Sequence, residues 1–402
     1  MRKEGDMNIK QLSGIVLLGG TMVWGCKKPY TPNAISSANS YLVVEGIIAA
    51  GQDSTIINIK RTVQLTSTST NNPEAGAKVS VDDQQGTSYL LTEVDSGKYA
   101  APSLNLDNSH KYRLNITTAG GQTYVSDYVP VKITPPIDSV WFARNSNGVN
   151  IYSATHDPSN SARYYRWDYT ETYIFQTDME SDYVFNPVGF DTLNWSRLRT
   201  PAEQIHTCYI TRNSSTISIN TTAALSQDVI TNNVIAQIPN ASEKLAHRYS
   251  ILVKQYALTQ DAYNFWAMLK KNTQQIGTIF DAQPSATATN IHCTSDPSRV
   301  VLGYVSASTI TQKRIFIDAI QVPNWYYSSG LDCKPDTACW ANVSVPPQLL
   351  SIGFLIPLSP INAAGVCDVV RGPSYAVAVA DNTCVDCRLH LGGKTVKPAF
   401  WK

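Results

Sequence analysis

The residues whose spacing could do the most chemistry are Cys384 and Cys387, a Cys-x-x-Cys in the segment NTCVDCRLHLGGKTVKP. Such a pair can be a redox couple, half of a zinc site, or two ends of structural staples. A redox couple needs a helix opening at its first cysteine, and the two glycines and the proline that follow here argue against one. Zinc could draw on His206 and Cys208 in IHTC, His292 and Cys293 in IHC, and His390. Zinc spacings are usually tighter and repeated, so no metal is expected. The reading that remains is a staple joining Cys384 and Cys387 to each other, or to Cys367 and the Cys333/Cys339 loop, so that the terminal PAFW docks as an apolar plug.

Other motifs fall short of chemistry. GGKT at 392–395 resembles the end of a phosphate loop, but the glycine required five positions before Gly393 is Arg388. RGPSYA carries Ser374 without the second glycine of a nucleophile elbow. The histidines at 110, 156, 206, 247, 292 and 390 are scattered, and no cofactor is expected. In RYYRWDYTETYIF the alternation Tyr165, Trp167, Tyr169, Glu171, Tyr173, Phe175 puts a carboxylate in an aromatic row. Glu171 is there either paired with a base or facing a wet groove. Trp325, Tyr326 and Tyr327 in NWYYSS cannot all be buried on one strand face, and exposed aromatics suit sugar stacking or a protein partner. These four are the candidate ligand or partner contacts, with local packing under the loop the competing reading.

The elements that must position these residues begin with MRKEGDMNIKQLSGIVLLGGTMVWGCKK. It has a basic start, an apolar run too short to span a bilayer, and a small residue before Cys26. Val23-Trp24-Gly25-Cys26 resembles a bacterial lipobox, so residues 1–25 are expected to be a signal peptide and Cys26 the lipidated first mature residue; Met7 is an alternative start. Residues 26–40 read as a flexible tether reaching at most about 50 Å. With Cys26 set aside, seven of the eight cysteines remain: Cys208, Cys293, Cys333, Cys339, Cys367, Cys384 and Cys387. In an oxidising compartment they are disulfide candidates, and the odd number leaves one over.

Net charge is +1 with 16% charged residues, so no basic excess exists for nucleic acid. Residues 41–134 carry about seven short strand-like runs separated by turn signals, the pattern of a β-sandwich. Pro135 and Pro136 mark a boundary to a larger β-rich region, 137–402. That region holds one amphipathic helix at about 260–281, with apolar positions Ala262, Trp266, Leu269, Ile276 and Phe280. The expected fold class is therefore mainly β, with a disulfide-stapled C-terminal tail.

GAKVSVDDQQGTSYLLTEVDSGKYAAPSL resembles the carboxypeptidase-regulatory or transthyretin-like module. LVVEGII, SDYVPVKITPPIDSV, RYYRWDYTETY, VKQYALTQDAYNFWAMLKKNTQQIGTIFDAQPS, NIHCTSDPSRVVLGYVSAS, RIFID and the CVDCRLHLGGKTVKPAFW tail together resemble the outer-membrane lipoproteins grouped as domain of unknown function 4249. That resemblance implies an outer-membrane protein, lipid-anchored, accessory to a TonB-dependent transporter or handling its glycan or peptide ligand. It carries no catalytic residues, so a non-enzymatic role is expected, with Lys27 and Lys28 leaving surface or periplasmic display open. The alternatives are a structural or adhesive surface protein and a glycan-acting hydrolase using Glu171 with a second carboxylate about 5–10 Å away.

Overall fold

The computed structural model describes residues 40–63, 72–185, 196–274, 289–340, 353–361 and 375–402. Cys26, the lipobox and tether residues 26–39 lie outside them, as do Cys367, Ser374, Ile276 and Phe280.

Strict alternation builds the first layer. β1 (Leu42–Ala49), β2 (Ser54–Arg61), β3 (Lys78–Asp83), β4 (Ser88–Asp95), β5 (Lys98–Ser103), β6 (Lys111–Thr117), β7 (Thr123–Ser126) and β8 (Val129–Lys132) follow one another along the chain. In β6, Tyr112, Leu114 and Ile116 are buried while Arg113, Asn115 and Thr117 face out. The inward residues of β1, β2, β3, β5 and β6 form one core around Tyr99 and Tyr112. Tyr99 satisfies its hydroxyl by donating to the Glu74 carbonyl at 2.7 Å and accepting from the Ala77 amide at 2.9 Å.

These strands do not form the expected two-sheet sandwich. A distant two-residue strand, β20 (Ala307–Ser308), runs parallel to both β1 and β8, and β8 turns back onto β6. The ring β6-β3-β4-β5-β2-β1-β20-β8 closes as an eight-stranded barrel. A barrel of this size is just filled by side chains, and closure leaves no open sheet edge. Two more late strands attach outside the ring: β18 (Ile291–Cys293) on β7 and β19 (Val301–Gly303) on β1. Gly303 makes that approach possible, because a Cβ there would sit 2.1 Å from the Val44 carbonyl oxygen.

The second layer system is a true sheet-on-sheet arrangement. β9 (Ile137–Asn145), β10 (Gly148–Asp157) and β16 (Asp228–Pro239) form a three-stranded antiparallel sheet in the order β16-β10-β9. β11 (Tyr164–Gln176) pairs with β14 (Thr207–Asn213), β15 (Ser218–Thr221) and β17 (Arg248–Ala257), and β17 with β21 (Ile310–Asp318). Inward residues of both sheets share one core containing Tyr165, Trp167, Tyr173, Val149, Ile151 and Ile238. The hairpin β12 (Tyr183–Phe185) and β13 (Ser196–Leu198), and a small sheet of β22 (Asp336–Trp340), β24 (Tyr375–Asp381) and β23 (Leu355–Ile361), complete the described strands.

The double proline is the junction between the two systems. Proline has no amide to donate, so the carbonyls carry the connections. Pro135 accepts from Gln255 Nε2 at 2.9 Å and Thr311 Oγ1 at 3.0 Å, and Pro136 from Thr155 Oγ1 at 2.8 Å. Tyr41–Lys402 is one compact unit. The helix α1 (Gln260–Gln274) starts where expected: Thr259 Oγ1 accepts from the Ala262 amide at 3.2 Å and Asp261 lies in the first turn. It buries Ala262 and Phe265, while Trp266 stacks beneath Arg166 at 3.8 Å. Positions 275–281 of the expected helix lie outside the described residues.

Candidate functional site

The aromatic row of β11 leads to the densest polar cluster. Its core-facing side carries Tyr165, Trp167, Tyr173 and Phe175, and Glu171 occurs among them at 4% exposure. An ionised carboxylate there needs partners. Glu171 accepts from Lys244 Nζ at 2.6 Å and from Tyr249 Oη at 2.9 Å. Burial, then the Glu171 carboxylate, pushes the Tyr249 phenol well above its ordinary value, so it stays a donor. Of the two readings of Glu171, the structure shows the paired one: it is buried with a base and a phenol as its partners.

The partner comes from a one-turn 3-10 segment, Glu243–Leu245, capped by Ser242. Consecutive residues of a tight turn diverge, so Lys244 goes to Glu171 while Glu243 goes to Tyr173. Tyr173 donates to Glu243 Oε1 at 2.6 Å, and His390 Nε2 pairs with Glu243 Oε2 at 2.7 Å. The His390 imidazole lies flat on Phe175, 4.0 Å between centroids. Burial and then Glu243 push the Tyr173 phenol up as well. Sequence reading missed Glu243 and considered His390 only as a zinc ligand; the only signal for Glu243 was a Glu-Lys pair directly after a serine.

The aromatic loop separates into two roles. Trp325 donates from Nε1 to the Ser242 carbonyl at 2.8 Å and has Arg144 over its ring, and Tyr327 packs against the same core. Both are thus partly buried in local packing, the competing reading of this loop. Tyr326, 78% exposed, alone presents its ring to solvent.

The cysteines resolve the Cys-x-x-Cys. Cys384 is bonded to Cys333 and Cys387 to Cys208. The two thus go separate ways, which excludes a mutual couple and occupies the sulfurs a zinc ion would need. Cys339 is also disulfide-bonded. Cys293 is corrected from disulfide candidate to buried free thiol, with Ser295 Oγ 3.3 Å away. It lies on β18 within the barrel core. Gly393 of GGKT serves the staple: a Cβ there would stand 2.9 Å from Cys208 Cβ and 2.6 Å from the Cys387 carbonyl oxygen. The tail then runs along β14, where Tyr209 and Lys394 exchange backbone hydrogen bonds at 2.8 and 3.1 Å. Trp401 is buried edge-on against Tyr209 and Phe316.

Among the described residues no group of three or more His, Cys, Asp or Glu side chains could hold a metal, and no helix is long and apolar enough to cross a membrane. The cluster is chemically a set of satisfied ionic and hydrogen-bonded contacts that fix the turn, the loop and the tail to one end of the second core.

A closed β-barrel joined through a double proline to a two-sheet core with a disulfide-held tail defines the class structurally. The chain belongs to the family described as domain of unknown function DUF4249, whose model matches residues 27–314. No curated protein matches it. Similar solved structures include an alpha-2-macroglobulin of Salmonella, at 8% identity over 76% of this chain and 16% of that one, with a TM-score of 0.17. This chain thus spans less than a fifth of that protein's length. A putative carbohydrate binding protein from Bacteroides uniformis aligns at 12% identity over 55% and 91% of the two chains, TM-score 0.15. The adhesin InvE of Yersinia pseudotuberculosis aligns at 11% over 83% and 70%, TM-score 0.14. Those scores are too low to establish a common fold.

Proposed function

We propose that this chain is a non-enzymatic, lipid-anchored cell-envelope protein of the outer membrane that serves as an accessory or ligand-handling partner of a TonB-dependent transporter. The observation that carries the reading is the disulfide set, Cys208–Cys387 and Cys333–Cys384, in a chain whose opening residues read as an export signal ending at Cys26. Disulfides persist in oxidising compartments, and lipid on Cys26 would anchor a body that begins at Tyr41. The transporter partnership rests on the resemblance of LVVEGII and the helix segment, both inside the matched region, to their family. The engagement of Glu171 by Lys244 and Tyr249 counts against the hydrolase alternative, which relied on that carboxylate.

The test is native purification of the tagged protein from detergent-solubilised outer membrane, with a Cys26→Ala form as control and mass spectrometry of what accompanies it. A transporter barrel recovered in near-equal amount with the lipidated form only is the expected result. Recovery of the protein alone would remove the partnership and turn attention to an independent adhesive or binding role.

A further inference from the structure

The outer wall of the barrel carries a groove of about 410 Å³ over β3, β4 and β6. The register explains it: Ser80 stands opposite Asn115 and Asp82 opposite Arg113 across β3 and β6, with Ser88 opposite Asp82 on the β4 side. All five side chains point away from the core because their neighbours Val79, Val81 and Leu114 point into it.

The groove is pre-organised by Asp82. Its Oδ1 accepts from Ser80 Oγ at 2.9 Å and Ser88 Oγ at 2.7 Å, and its Oδ2 from Asn115 Nδ2 at 3.2 Å. Those bonds fix the side chains and leave other atoms without internal work. Arg113 lies over the Tyr128 ring at 4.8 Å, and its closest approach to a carboxylate is 3.8 Å, from Nε to Asp82 Oδ2. Among the described residues none of its donors has a hydrogen-bond acceptor, and Nε is buried without one. A guanidinium stacked by one face on an aromatic ring keeps its terminal Nη donors free to act as a planar fork, while the buried Nε stays out of a ligand's reach. Asn115 Oδ1 and Thr117 Oγ1 are likewise without partners among the described residues.

The geometry points to a binding subsite for a neutral saccharide on the barrel wall, with Arg113, Asn115 and Thr117 as its contact residues. Two cations, Lys78 and Arg113, and two carboxylates, Asp82 and Asp83, line the groove, so it is formally neutral and favours neither anion nor cation. The free atoms combine donors with acceptors, as vicinal hydroxyls require. An extended peptide fits less well. Here the strands are already paired on both sides, and Leu90 is the single aliphatic residue in the lining, so neither strand addition nor side-chain pockets are on offer. This subsite stands whether or not a transporter is the partner.

The test is isothermal titration calorimetry of the full chain in detergent against maltohexaose, cellohexaose, mannohexaose and xylohexaose. At least one should bind, with affinity falling about tenfold or more in Arg113→Ala and in Thr117→Val, as expected for one lost hydrogen bond each. Thr117→Val removes no internal hydrogen bond and should keep the parent melting curve, while Arg113→Ala also gives up the Tyr128 stacking and the 3.8 Å ion pair with Asp82 and should lower it only slightly. Arg113→Lys, which keeps the charge and loses the fork, should weaken binding too, and Lys334→Ala, outside the groove lining, should not. The proposal is overturned by absence of heat with all four sugars at about 10 mM, by binding that survives Arg113→Ala, or by binding of hexagalacturonate alone that fades with added salt.

Discussion

Removing the Cys208–Cys387 bond by the double substitution Cys208→Ala/Cys387→Ala should release the tail before it unfolds the body. The bond spans 179 residues, against 51 for Cys333–Cys384. The chain-entropy relation gives upper values of about 5 and about 4 kcal/mol for loops of those lengths, and measured disulfides typically contribute about 2–4 kcal/mol. The tail retains the Tyr209–Lys394 backbone pair, the Arg212 contact to the Leu391 carbonyl at 2.6 Å and the burial of Trp401. Loss of the bond therefore shifts a local opening of residues 387–402 rather than destroying the sheet. A drop of about 3 kcal/mol in its opening free energy raises amide exchange there by roughly a hundredfold. Hydrogen–deuterium exchange with mass spectrometry reads this directly, with Trp401 emission as a second probe. The Cys333→Ala/Cys384→Ala pair should instead raise exchange around 331–340 and 375–384, with less effect on Trp401. Tail amides that exchange at the parental rate in the first variant would refute the reasoning and assign tail docking to packing alone.

Two further outcomes follow from the ionic contacts. Lys244→Met strands the Glu171 carboxylate with Tyr249 alone and should lower stability by about 3 kcal/mol in urea unfolding, most of it restored by adding Glu171→Gln, because an unpaired buried charge costs more than an absent pair. The His110 imidazole, held above its ordinary value first by its hydrogen bond to Asp83, contributes stability that is full below its unfolded value of 6.5 and is lost as pH rises through its folded value. Burial acts to raise the Asp83 carboxyl, but the Gln85 amide and His110 outweigh it and hold it low, so its contribution is lost only as pH falls below 3.8. The urea midpoint of His110→Asn should therefore lie furthest below the parent's between about pH 4.5 and 6 and converge with it at alkaline pH; a pH-independent gap would show that the pair's charge is irrelevant.

Strands were legible in the sequence because alternation is a local signal. Tyr112, Leu114 and Ile116 announce which side of β6 is buried without reference to any partner. Barrel closure was not legible, because it depends on Ala307–Ser308, two residues with no period of their own, inserted between β1 and β8 from far along the chain. The start of α1 was readable from Asp261, but Phe265 was passed over for Trp266, whose ring is drawn under Arg166 by a cation contact that periodicity does not encode. The odd cysteine was countable and its identity was not: Cys293 is free because β18 attaches to β7 beside the barrel, a placement only pairing reveals. Glu171 advertised a need for a base, and Lys244, which supplies it, sits on a three-residue turn with no pattern to mark its direction.

The tail shows why the stapling falls where it does. β14 is an edge of the five-stranded sheet, and an unpaired edge invites other chains. The tail covers part of it through Lys394, and it also supplies Cys387 to the second core and Trp401 to the outer face between β14 and β21. All three residues lie beyond position 314, where the family match stops. A segment this short has little apolar surface with which to offset its own ordering entropy. Covalent attachment to β14 through Cys208 lowers that entropic demand, so the same bond that fixes the tail also holds His390 against Glu243 and keeps the turn bearing Lys244 directed at Glu171. Edge protection, core completion and the buried ionic cluster are thereby one structural requirement, met by a single cross-link between a strand inside the matched region and a tail outside it.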